Sequence, residues 1–196
     1  MAKGASLHNS VLVFAGSDQI YGANAEPGPY SEDKAAPGNV YAETKLKAEN
    51  EIAAILEKYY ILRFTWMFSM PERNKKSPGF ITNILKALIT DTPVYLNEND
   101  YRGLTYAYEV IENFEKVIGI PYGCYNAGSE NDVSIYELGE TALDAFGASG
   151  RAEKILIKQS GSRRDLRISN DKLKNYGVMF SDSDRAIRKC VREFQI

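Results

Sequence analysis

Residues 10–68 place two apolar segments on either side of a long polar loop and a helical segment, and this order restricts the fold more than any other feature. The segment 10–16 (SVLVFAG) is rich in β-branched residues and ends in glycine, which is typical of a buried strand in a parallel sheet. Asn39 can cap a helix over about 40–57, and 59–68 (YYILRFTWMF) is predicted to be the next strand. Strand, loop, helix and strand in this order predict a βαβ crossover, and hence an α/β fold with a parallel sheet.

The rest of the chain continues this alternation of helices and short strands. Hydrophobic spacing predicts helices that include 80–88 and 110–118, strands at 93–97, within 122–130 and at 154–159, and a polar loop at 69–79. Ser134 and Glu137 form a capping box that predicts the start of a further helix. The chain closes on two predicted helices, and the last should bury one face made of Ala186, Ile187, Cys190, Val191 and Phe194.

We expect one compact unit over 1–196, because no repeat, low-complexity tract or flexible linker interrupts the chain. About 1–70 and parts of 92–128 are assigned to an incomplete Rossmann-like core. The remainder, about 71–91 and 129–196, is assigned to a smaller α/β lobe.

Composition and charge exclude several classes of protein. The net charge of −2 gives no reason to expect nucleic acid or an anionic membrane as a partner. The apolar segments are too short to span a bilayer, and residues 1–14 lack the features of a signal peptide. Cys124 and Cys190 have no metal-like spacing, so we expect reduced thiols, a cytoplasmic location and no metal site. His8, the single histidine, is expected to be a solvated surface residue.

Tyr41 and Lys45 are the candidate catalytic pair. The spacing alone decides nothing in a chain with 13 tyrosines, since Tyr30 and Lys34 repeat it in a segment rich in proline and glycine. Tyr41 and Lys45, however, fall in the first turns of the predicted helix, where residues i and i+4 share a face. A lysine cation beside a phenol favours the phenolate, which makes a tyrosine usable in proton transfer near neutral pH. Ser17 ends the preceding strand, so all three are expected at one crevice.

Several segments in order resemble a known family. The segments VFAGSDQIYG, PYSEDKAAPGNVYAETKLKAE and LRFTWMF are similar to motifs of the extended short-chain dehydrogenase/reductase superfamily, in its dTDP-4-dehydrorhamnose reductase branch. YNAGSENDVSIYELG and RRDLRISNDKLKNYG resemble the sugar-nucleotide-binding lobe of that branch. Gly16 and Gln19 stand where the family often has serine and tyrosine, and Ala42 replaces its usual glycine. None of these departures removes a catalytic group.

The resemblance implies a role for each of the three residues Ser17, Tyr41 and Lys45. Ser17 matches the residue that hydrogen-bonds the substrate oxygen, and Tyr41 matches the acid that protonates it. Lys45 matches the lysine that holds the nicotinamide ribose and activates the tyrosine. The implied cofactor, NADPH or NADH, would supply the hydride.

The resemblance also implies a nucleotide-sugar substrate. Trp66 matches a tryptophan beside the sugar, although core packing is an equally good interpretation. Arg102, Arg163 and Arg164 could clamp the diphosphate, because guanidinium groups match phosphate oxygens. The alternative is that these arginines belong to a solvated charged surface.

One element of the family pattern is absent from the sequence. A dinucleotide-binding βαβ unit needs a glycine-rich loop between a strand and a helix, and the nearest glycines, Gly147 and Gly150, follow a helix. We therefore expect a truncated reductase that binds NAD(P)H weakly or not at all. The strand at 10–16 should present an open edge, through which the chain would form a homo-oligomer or bind a partner chain.

Three other interpretations stay open. The chain could be a non-catalytic module that binds a nucleotide sugar or regulates a partner. It could instead derive from an epimerase or dehydratase of the same superfamily, which shares the serine, tyrosine and lysine. The third possibility is a fragment without activity.

Overall fold

The computed structural model describes residues 2–70 and 79–194. In chain order, the strands are β1 (Leu12–Ser17), β2 (Tyr59–Phe64), β3 (Trp66–Phe68), β4 (Val94–Asn97), β5 (Asp100–Tyr101), β6 (Leu104–Tyr106), β7 (Gly123–Ala127), β8 (Leu156–Gln159) and β9 (Arg164–Asp165). The helices are α1 (Ala2–Leu7), α2 (Val40–Ile55), α3 (Phe80–Thr90), α4 (Ala107–Ile118), α5 (Ile135–Ala145), α6 (Ala152–Ile155), α7 (Asp171–Lys174) and α8 (Ser183–Phe194). Short 3₁₀ turns lie at Asp18–Tyr21 and Ser149–Arg151.

The predicted parallel sheet is present as three strands in the order β1-β2-β7. β1 and β2 pair in parallel from Leu12 opposite Tyr59 to Ser17 opposite Phe64, and α2 connects them as the predicted crossover. Within the described residues, β1 has β2 as its sole neighbour, so its other edge is open. The shorter strands form parallel pairs elsewhere: β3 with β6, β4 with β8, and β5 with β9.

Apolar side chains cover both faces of the sheet. On one face, Ile52 of α2 and Leu56, which follows the helix, pack with Ile61 of β2. On the other face, Val117 of α4 and Leu173 of α7 pack against the sheet. A separate, larger cluster lies outside the sheet and joins α3, α5 and α8 to β6 and β8.

The single strand predicted for 59–68 is wrong, because the chain leaves the three-stranded sheet at Thr65. β2 ends at Phe64, and β3 then pairs with β6. Thr65 is 3% exposed, and its Oγ1 lies 2.5 Å from Oγ1 of Thr105. This buried hydroxyl pair ties the break in the strand to a segment distant in sequence.

The boundaries of the other elements differ less from the predicted ones. The predicted strand 154–159 begins as the short helix α6 and becomes extended at Leu156, where pairing with β4 starts. The last helix buries Ala186, Ile187, Cys190 and Val191 as expected, whereas Phe194 is exposed because it lies at the helix end beyond the core cluster. Most of the predicted loop 69–79, residues 71–78, lies outside the described residues.

The division into a core and a lobe stays a prediction. Of the segment 92–128, only Gly123–Ala127 joins the three-stranded sheet, since β4, β5 and β6 pair with other strands. No helix in 2–70 or 79–194 is long and apolar enough to cross a membrane.

Candidate functional site

Ser17 lies where β1 ends and a 3₁₀ turn begins. Its Oγ accepts a hydrogen bond of 3.3 Å from the backbone N–H of Gln19, which caps the turn. Gly16 precedes it at a close approach, where a Cβ would lie 2.8 Å from Oε1 of Glu49 in α2. Glu49 in turn forms a buried ion pair of 2.7 Å with Arg63 of β2. A side chain at position 16 would therefore require the Glu49 carboxylate to shift.

Asn39 determines where α2 begins. Its side-chain oxygen accepts a 2.9 Å hydrogen bond from the N–H of Ala42, as expected of an N-cap residue. This start places Tyr41 and Lys45 in the first turns, on the side next to the end of β1. Ala42 is fully buried in an apolar cluster with Ile20, so its methyl group replaces the family's glycine without disturbing the site.

Lys45 brings its cation to the end of β1. Its Nζ donates a 2.8 Å hydrogen bond to the carbonyl oxygen of Ala15 and lies 5.0 Å from the centroid of the Phe14 ring. The same nitrogen is 5.7 Å from the centroid of the Tyr41 ring. Tyr41 is 53% exposed, so its phenol is accessible from solvent.

A cleft of about 590 Å³ brings most of the predicted site residues together. Ser17, Tyr41 and Lys45 line it, and Trp66 and Arg102 line it as well. Trp66 packs edge-on against Phe80 with ring centroids 6.2 Å apart, yet it remains 37% exposed and lines the cleft. A position beside the sugar stays a prediction.

The other two arginines lie apart from this cleft. Nε of Arg164 donates a 3.0 Å hydrogen bond to Asp100, and Arg163 pairs with Asp165 at 3.3 Å. Neither is among the described residues that line the cleft, whereas Arg102 is. A diphosphate clamp formed by all three arginines stays a prediction.

Asp18 is a cleft residue to which the sequence analysis gave no role. It is 3% exposed, and burial raises the pKa of its carboxyl group to about 6, against the opposing effect of the Arg102 guanidinium. Ser17 Oγ lies 3.4 Å from its Oδ1, and Oδ2 is buried and has no hydrogen-bond partner in the part of the chain that the structure describes. The available signal was an acidic residue directly after a strand that ends at the ligand-binding edge of a parallel sheet.

The cleft fits the nicotinamide end of a dinucleotide better than its pyrophosphate. Exposed Tyr41 and the Lys45 amine offer polar groups at the end of β1, where open α/β sheets bind ligands. Pyrophosphate needs a close backbone approach at a helix start, but β1 is followed by a 3₁₀ turn and a long loop. In the part of the chain that the structure describes, no glycine-rich loop joins a strand to a helix.

Comparisons with known proteins agree with this architecture. The family described as the RmlD substrate binding domain matches residues 1–175. A curated dTDP-4-dehydrorhamnose reductase from Mycolicibacterium smegmatis is 21% identical over 170 residues, which are 85% of this chain and 50% of that protein. The chain thus spans half the length of this relative.

Solved structures show the same fold. A dTDP-4-dehydrorhamnose reductase from Clostridium acetobutylicum has a TM-score of 0.80 at 16% identity, over 100% of this chain and 70% of its own. The Bacillus anthracis reductase in complex with NADP has a TM-score of 0.80 at 15% identity, over 98% and 68% of the two chains. UDP-glucose 4-epimerase from Thermus thermophilus, a complex with NAD, has a TM-score of 0.76 at 20% identity, over 99% and 67%. The fold is therefore the Rossmann-like fold of these reductases and epimerases.

Proposed function

This chain belongs to the RmlD substrate binding domain family, and we propose that it is the catalytic and sugar-binding part of an NAD(P)H-dependent reductase of 4-keto nucleotide sugars. One observation carries the proposal: Ser17, Tyr41 and Lys45 line a single cleft at the carboxyl end of β1. Relatives of similar fold are named as dTDP-4-dehydrorhamnose reductases, which supports this substrate class.

The three side chains have complementary tasks. The Ser17 hydroxyl would donate a hydrogen bond to the keto oxygen of the sugar, and its contact of 3.4 Å with Asp18 is long enough to be given up easily. Tyr41 would then donate its proton to the same oxygen, as a general acid. The Lys45 ammonium, 5.7 Å from the Tyr41 ring, stabilises the phenolate that this transfer leaves behind. A bound nicotinamide cofactor would supply the hydride.

The residues present would hold that cofactor only in part. Tyr41 and Lys45 would contact its nicotinamide ribose, but the described residues contain no glycine-rich loop for the pyrophosphate. We therefore expect this chain alone to bind NADPH or NADH weakly. Isothermal titration that gave micromolar affinity for NADPH would contradict this expectation.

Replacement of Tyr41 by phenylalanine tests the catalytic role. Oxidation of NADPH by a dTDP-4-keto-sugar, at a high cofactor concentration, should fall by about 100- to 10,000-fold in Tyr41→Phe, since the proton donor is lost. Tyr95→Phe is the matched control, because Tyr95 is similarly exposed but does not line the cleft. Equal rates for wild type and Tyr41→Phe would rule out the reductase.

A non-catalytic sugar-nucleotide-binding or regulatory module is the second candidate, and the lack of a pyrophosphate loop in the described residues favours it. Such a module would bind dTDP-glucose in calorimetry without consuming NADPH. The likeness to UDP-glucose 4-epimerase keeps an epimerase or dehydratase as a related alternative. Product analysis after incubation with the nucleotide sugar separates these from a reductase.

A further inference from the structure

Two buried polar atoms, on residues that line the cleft, have no hydrogen-bond partner among the described residues. They are Nη2 of Arg102 and Oδ2 of Asp18, on residues that are only 6% and 3% exposed. Buried polar atoms in folded proteins are nearly always satisfied, so an unsatisfied pair in a cleft requires an explanation. Both residues line the same cleft as Ser17 and Tyr41, which places an unused donor and an unused acceptor beside the proposed catalytic groups.

Arg102 is held in place by its neighbours and not by Asp18. Its Nε is 3.3 Å from Oδ1 of Asp100, and its guanidinium carbon lies 5.4 Å from the centroid of the Trp66 ring. Asp100 also accepts from Nε of Arg164 at 3.0 Å. Because a guanidinium is planar and rigid, these contacts fix the direction of the free Nη2.

Charge alone does not decide which group the free atoms bind, because Lys45, Arg102 and Arg164 supply three positive charges in or near the cleft, and Asp100 and ionised Asp18 supply two negative charges. Hydrogen-bond chemistry does decide it. An ionised phosphate can accept from Arg102 but has no hydrogen to donate to ionised Asp18, whereas a hydroxyl can accept from a guanidinium and donate to a carboxylate simultaneously.

We propose that Arg102 is a specificity-determining residue that donates a hydrogen bond from Nη2 to one hydroxyl oxygen of the sugar in a bound nucleotide sugar. Asp18 Oδ2 accepts the hydrogen of the same hydroxyl. This rests on the proposed function, and it gives Arg102 a role toward the sugar in place of the diphosphate clamp. A sugar that lacked this hydroxyl would leave both buried groups unpaired, which is the strongest basis for rejecting a close analogue.

Calorimetric titration of wild type with dTDP, dTDP-glucose and the monodeoxy analogues of dTDP-glucose tests this directly. One monodeoxy analogue should bind roughly 10- to 100-fold more weakly than dTDP-glucose. If every monodeoxy analogue bound as tightly as dTDP-glucose, the proposal would be wrong although the proposed function would stand. If wild type bound neither dTDP nor dTDP-glucose, both would fail.

Variants then identify the residue responsible. Arg102→Met should weaken the binding of dTDP-glucose by roughly 10- to 100-fold and leave the affinity for dTDP unchanged. It should also abolish the discrimination against the one monodeoxy analogue that wild type binds weakly. Arg102→Lys keeps the charge beside Asp100 and should likewise lose the discrimination, which covers the case that Arg102→Met does not fold. Arg151→Met is the control, because it also removes an arginine that pairs with an aspartate, Asp91, but lies outside the lining of the cleft. If Arg102→Met weakened the binding of dTDP and of dTDP-glucose equally, Arg102 would contact the diphosphate and not the sugar. That result would overturn the proposal.

Discussion

Among single residues, Asp18 is the one whose chemistry depends most on its surroundings. Its carboxyl group is buried beside Ser17, and the Arg102 and Arg164 cations offset only part of the cost of ionising it. The pKa is raised to about 6 from an ordinary value of 3.8. The folded chain therefore retains a proton that the unfolded chain releases between these two values.

The stability contributed by that proton has a defined dependence on pH. It is fully present below the unfolded pKa of 3.8 and is lost as the pH rises through about 6. Asp18→Asn lacks the titration, so its stability relative to wild type should increase by about 2 kcal/mol between about pH 4 and about pH 7. Urea unfolding of both proteins at a series of pH values measures this difference. A difference independent of pH would show that Asp18 titrates normally.

The candidate catalytic residues could be grouped from the sequence, whereas the proximity of Asp18 to Arg102 could not. Ser17, Tyr41 and Lys45 lie on a strand end and a helix start, both of which local patterns predict. The cluster of Asp18 and Arg102 joins residues distant in sequence, whose proximity is created by the packing of β5 and β6 near the end of β1. No local pattern encodes that proximity.

At the scale of elements, α2 shows how capping positions a site. The prediction of a helix after Asn39 is confirmed, because the side chain satisfies a backbone N–H that the first turn leaves free. The single strand at 59–68 could not be corrected from sequence, since its break depends on the contact between Thr65 and Thr105. Elements defined by local hydrogen bonds were thus predictable, and those defined by distant partners were not.

Removal of the cap should destabilise the element that carries Tyr41 and Lys45. Asn39→Ala leaves the N–H of Ala42 without its acceptor, and we expect the free energy of unfolding to fall by about 1 kcal/mol. Asn39→Ser is the matched control, because serine can accept the same hydrogen bond and should retain most of the stability. Thermal and urea unfolding measure the effect. Equal losses of stability in Asn39→Ala and Asn39→Ser would mean that the side-chain hydrogen bond of the cap contributes nothing.

For the whole molecule, the open edge of β1 is the main unsatisfied feature. Val11 and Val13 are 45% and 38% exposed, and no strand among the described residues pairs with β1 on the side opposite β2. Apolar residues of α4, Ile111, Phe114 and Ile118, are exposed as well. Exposed apolar strands at a sheet edge commonly pair with another chain.

We therefore expect the chain to self-associate or to pair with another chain through β1. Val13→Lys places a charge on this edge and should shift sedimentation toward the monomer, because lysine on an edge strand opposes pairing. Ile89→Lys is the control, since Ile89 is 75% exposed on α3 and does not belong to the sheet. A wild-type chain that sediments as a single monomer would contradict this expectation.

The hydrogen bond from Lys45 to the carbonyl oxygen of Ala15 has a consequence for how the site tolerates evolutionary change. The acceptor is main chain, which every amino acid provides, so substitutions at position 15 cannot delete it. The hydrogen bond of the Lys45 ammonium therefore does not depend on which side chain occupies position 15. Only replacement of Lys45 itself, or a displacement of β1, would release that cation.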